Sequence, residues 1–113
     1  MSAAQQTRAT AEMVRDSDLA LSLISRHDIA GAEAGEVRER LRGHVNALLV
    51  PASTFADSLA DSRAKDIAQA TVEHARRVAE EREGDPEATL RLLAKSVTLL
   101  LRYASDERRR QAT

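Results

Sequence analysis

A chain of 113 residues is one domain's length, and 17 Lys plus Arg against 18 Asp plus Glu leave a formal charge of -1. That balance excludes the basic footprint of non-specific nucleic-acid binding, and the absence of cysteine excludes disulfides, thiolate catalysis and zinc–thiolate sites. The start, "MSAAQQTRATAEM", has no apolar leader core and no apolar run approaches the ~18 residues of a membrane span, so a cytoplasmic protein is expected, with neither membrane nor nucleic acid as partner.

Residues 1–7 read as a flexible N-terminus and residues 8–105 as a single helical domain. Placing residues at ~100° per step predicts a first helix over roughly 8 to 26, with Met13, Ser17, Ala20, Leu21 and Ile24 on its inner side. "DIAGAEAGE" follows, where Gly31 and Gly35 mark a loop or a frayed start. A second helix over roughly 34 to 50 carries the stripe Ala34, Val37, Leu41, Val45, Leu48. Pro51 interrupts it, since proline removes a donor and disfavours helix at Val50, and a short extra helical piece with Phe55 and Leu59 follows. The third helix, roughly 63 to 83, turns Ile67, Ala68, Thr71, Ala75 and Val78 inward and uses Gly84 as its C-terminal cap. "GDPEA" is the clearest local signal. Asp85 caps, Pro86 takes the first helical position and Glu87 faces the positive end of the dipole. The last helix runs to about Ser105, and 106–113, "DERRRQAT" included, reads as a polar disordered tail. The fold class is all-α, a small bundle of four main helices with short connections.

The last helix is apolar on two sides. Leu90, Leu93, Ala94, Val97, Leu100, Leu101 and Ala104 fill one broad face, and Leu92, Leu99 and Tyr103 lie nearly opposite. The strip between them reads Arg91, Lys95, Thr98, Arg102, a solvated face or a meeting point for an acidic ligand or acidic helix such as that of Glu80, Glu81 and Glu83. Only Phe55 and Tyr103 are aromatic, so the core is thin, and a second copy covering the Leu92 side would thicken it. A homodimer is therefore expected, unless the first helix wraps round to cover that side.

Chemistry-bearing residues are sparse. His27, His44 and His74 lack any metal-ligand spacing, and "RDSDL", "PAST" and "ADSRA" contain no nucleophile elbow. No glycine-rich phosphate loop or calcium loop exists, and no cofactor is implied. In "LRGHVNALL" a glycine and a histidine interrupt an apolar pattern. His44 sits at one edge of the stripe beside Arg40 and Leu48, while Arg42 and Asn46 occupy the other flank. A small metabolite cannot reach both flanks; a peptide lying across the stripe can. Arg42, His44 and Asn46 are thus candidate groove residues, with Arg76 and Arg102 as electrostatic candidates. The plainer reading gives His44 a structural hydrogen bond at the edge of the core.

"RLRGHVNALLVPA", "EHARRVAE" and "LRLLAKSVTLLLRY" together resemble a family of short helical actinobacterial proteins associated with natural-product biosynthesis. The resemblance spans roughly residues 36 to 104 and leaves the first helix unmatched. It implies lysinoalanine formation in lantibiotics of the cinnamycin and duramycin type, with a modified peptide as substrate. A lysine amine, of reference pKa ~10.4, adds to the β-carbon of dehydroalanine, which demands positioning and a base and no cofactor. His44 or a substrate carboxylate would be that base, and arginine or backbone donors would stabilise the enolate. The competing expectation is a non-catalytic helical dimer acting as an interaction or regulatory module.

Overall fold

The computed structural model describes residues 2–113. It contains four helices and, among the described residues, no strand: α1 (Ala3–Ser25), α2 (Ala32–Ser58), α3 (Arg63–Glu80) and α4 (Pro86–Ala112). Successive helices run antiparallel. Asp16 on α1 meets Arg40 and His44 on α2, and Asp57 near the end of α2 meets Gln69 near the start of α3. α2 and α4 therefore run parallel and pack most extensively on each other, while α1 and α3 each contact both of them. α1 and α3 do not meet. The result is a slab of 44 × 33 × 20 Å, two helices deep in its thin direction.

The core is leucine, valine and alanine. Leu23, Val37, Leu41, Val45, Leu90, Leu93, Val97 and Leu100 are fully buried, and every member of the expected α2 stripe is buried. α1 is rotated from its expected orientation. Met13, Asp16, Ser17, Ala20 and Leu23 face inward, and Leu21 is exposed. On α3, Val72 and Ala79 join Ala68, Ala75 and Val78, whereas Ile67 stays 53% exposed.

The helical segment after Pro51 exists but is continuous with α2. Its apolar stripe runs unbroken through Leu48, Ala52 and Ala56, all buried, and that burial outweighs one lost backbone bond. The carbonyl left without its donor belongs to Ala47, an exposed residue that water reaches. α1 starts earlier than residue 8 because Ser2 and Gln5 form a capping box, Ser2 Oγ accepting from Gln5 N and Gln5 Oε1 from Ser2 N. The stretch expected as a disordered tail continues α4 to Ala112. Its anchor is Glu107, buried and bonded by Arg110 and Gln111, and the Arg110 hydrogen bond holds its carboxyl below the ordinary range.

α1 ends with the left-handed residue that glycine ordinarily supplies. His27 has φ 57°, His27 N donates to Ile24 O and Asp28 N to Leu23 O, the two bonds of a Schellman motif. Gly84 has no positive φ, and α3 stops at Glu80, so that glycine is not the expected cap. The start of α4 is as expected. Asp85 Oδ2 accepts from Ala88 N at 2.8 Å, with Pro86 next and Glu87 in the first turn. Asp85→Ala should lower stability by about 0.5–2 kcal/mol, read as a fall in the urea midpoint. An unchanged midpoint would show that this bond contributes nothing.

Candidate functional site

The most concentrated polar cluster lies between α1 and α2. The inward rotation of α1 brings Asp16, only 8% exposed, against two α2 side chains one turn apart. Arg40 Nε donates to Asp16 Oδ1 at 3.2 Å, and His44 Nε2 lies 2.7 Å from Asp16 Oδ2. A buried carboxylate requires such partners, because its desolvation is otherwise uncompensated. Since an ionised carboxylate only accepts, His44 Nε2 is the donor to Asp16, and Nδ1 is the ring nitrogen outside this contact. This is a histidine oriented by a carboxylate, as an imidazole base is in catalytic triads. Its side chain is 17% exposed.

Arg42, two residues earlier, points elsewhere. It is 7% exposed, its Nη2 donates to the carbonyl of Glu81 at 2.9 Å, and its Nη1 donates to Glu39 Oε1 at 2.8 Å. Glu81 is the residue that closes α3, so Arg42 ties the end of α3 to the middle of α2. Arg82 reinforces the tie through Glu39 at 2.5 Å. The glycine between Arg42 and His44 has open space where a Cβ would stand, so no close approach requires it.

The other sequence candidates are dispersed. Asn46 is exposed on α2. Arg76 pairs with Glu73 at 3.3 Å beside the α2/α3 groove. Arg102 is exposed and lines a groove between α1 and α4. The α2 stripe that separates Arg42 from His44 is buried by the chain's own helices, so a peptide does not lie across it. Among the described residues no hydrogen bond or ion pair joins any two of the five candidates. The structure joins His44 instead to Asp16 and Arg40. Arg40 was already visible as the residue one turn before His44; Asp16 was not singled out, although it neighbours Ser17 on the inner face.

Grooves lie on both flanks of α4, among them one against α3 and one against α1. The α3/α4 groove, ≈ 370 Å³, is walled by Ile67, Ala70, Leu92 and Leu99, with His74 and Lys95 as its ionisable groups. The α1/α4 groove, ≈ 390 Å³, has Val14 and Leu101 among Ser17, Asp18, Thr98 and Arg102. Tyr103 takes no part in the first groove. It stacks on Phe55 of α2 with ring centroids 5.7 Å apart, so it is covered within the monomer. The basic strip does not meet Glu80, Glu81 or Glu83 in any ion pair among the described residues; Arg91 pairs with Glu87 of its own helix. Among the described residues no group of three or more His, Asp or Glu is placed to hold a metal ion, and no helix is long and apolar enough to cross a membrane.

These features define an all-α protein of four helices, each antiparallel to the one before it, with a carboxylate-oriented histidine between α1 and α2 and open grooves beside its last helix. The chain belongs to the family of unknown function DUF6415, whose model matches residues 5–109. No curated protein and no solved structure matches it.

Proposed function

We propose that the protein is a cytoplasmic helical interaction module that works as a homodimer, with the α3/α4 groove facing the second copy. The observation that carries this reading is the open apolar wall of that groove, where Ile67 is 53% and Leu92 39% exposed beside the partly exposed Leu99. Contiguous exposed apolar surface marks association sites, and a two-fold contact buries the same patch on both copies. A core of leucine, valine and alanine with no buried aromatic residue gains most from such cover. Light scattering coupled to size exclusion should give a dimer at tens of micromolar. Leu92→Asp should give a monomer with unchanged circular dichroism, because Leu92 is not part of the sealed core. A wild-type monomer across that range overturns the reading.

The Asp16–His44 pair favours a second reading, maturation of a ribosomally made, modified peptide by lysinoalanine formation. His44 Nδ1 takes a proton from the substrate's lysine ammonium, and the free amine adds to the β-carbon of dehydroalanine. The resulting enolate is reprotonated at the α-carbon by the imidazolium, so atoms and protons balance without a cofactor. Incubation with dehydrated peptide followed by fragmentation mass spectrometry tests it, since closure leaves the mass unchanged. Absence of the cross-link after prolonged incubation counts against this activity and leaves the dimer reading intact.

A further inference from the structure

The geometry points to the α1/α4 groove as a binding site for a small zwitterion, an α-amino acid with a branched apolar side chain. Two opposite charges line this groove, Asp18 from α1 and Arg102 from α4. Among the described residues neither forms an ion pair, with the other or with anything else. Unpaired charges of opposite sign on one groove are free to pair with a ligand there. Both charges open on the one groove, Asp18 from the α1 side and Arg102 from the α4 side, about one helical turn beyond Thr98. A single amino acid carries an ammonium and a carboxylate of the matching signs in one small molecule.

Ser17 and Thr98 add polar lining, although the Thr98 hydroxyl already donates to Ala94 O at 3.1 Å and the Ser17 Oγ is sealed from solvent, so the two charges carry the recognition. Val14, 46% exposed, and the partly buried Leu101 offer the apolar wall. A volume of ≈ 390 Å³ lies within the range of small-molecule sites. A simple anion would be opposed by Asp18 and a simple cation by Arg102, whereas a zwitterion satisfies both. The site lies between α4 and α1, whereas the groove assigned to the second copy lies between α4 and α3, and the site does not depend on that assignment.

Methyl NMR of the full chain titrated with L-leucine, isocaproate and isoamylamine tests the inference. L-leucine should shift the Val14 and Leu101 methyls saturably, and each analogue, lacking one charge, should bind at least about tenfold more weakly. Arg102→Gln and Asp18→Asn should each weaken L-leucine about tenfold. Asp18→Asn should leave isocaproate unaffected or bound more tightly, and Arg102→Gln should do the same for isoamylamine. Both residues are exposed, so both variants should keep the wild-type circular dichroism. No saturable shift with millimolar L-leucine, equal binding of the three probes, or L-leucine binding that survives both substitutions overturns the assignment.

Discussion

Arg42→Ala is expected to lower stability by about 2–3 kcal/mol, read as a fall in the urea midpoint at constant slope. Arg42 spends its guanidinium on structure. Its Nη2 satisfies the Glu81 carbonyl at the closing residue of α3, and its stem is buried with the core of α2. Truncation leaves that carbonyl without its charged donor and opens the packing around the stem. The Glu39 contact adds little, because Glu39 is more than half exposed and re-solvates. Arg42→Lys should recover only part of the loss, since a single ammonium cannot reach Glu81 and Glu39 in the same fork. An unchanged midpoint in Arg42→Ala would mean that the side chain is free to serve a ligand.

His44→Ala is expected to reduce lysinoalanine closure by roughly 10²–10⁴ if the imidazole is the base. The same change strips Asp16 of one partner and leaves a partly buried carboxylate with Arg40 alone, costing about 1–3 kcal/mol. The two consequences are separable. His44→Gln keeps an N–H donor for Asp16 and removes the base, so it should restore most of the stability and none of the closure. Asp16→Asn should keep the ring and loosen its orientation, giving an intermediate loss. A folded His44→Gln protein with near-normal closure removes the catalytic role and makes a substrate carboxylate the base.

What the sequence disclosed, it disclosed through local physics. The α2 stripe and the Asp85–Pro86–Glu87 start depend on residues within one or two turns of each other, and both stand as read. Ser2 and Gln5 carried the same kind of signal, a capping box four residues long. The misplacements arose where distant groups decide. Asp16 is polar and would be turned to solvent by pattern alone; it faces inward because Arg40 and His44, 24 and 28 residues away, receive it. Pro51 reads as a break, yet the burial of Ala52 and Ala56 carries the helix through it. Gly84 reads as a left-handed cap, while His27 takes that conformation because the Schellman bonds to Leu23 and Ile24 hold it there. The histidine of "LRGH" was visible as a candidate; its carboxylate partner was not, since nothing in α2 names it.

One consequence follows from α1 and α3 lying apart on either side of the α2–α4 pair. A side chain altered on α1 and another altered on α3 share no neighbour except through that central pair, so their free-energy effects should sum, while changes facing each other across α2 and α4 should not. Divergence within the fold is then free to proceed on the two flanks separately. The α1 wall of one groove can change without retuning the α3 wall of the other.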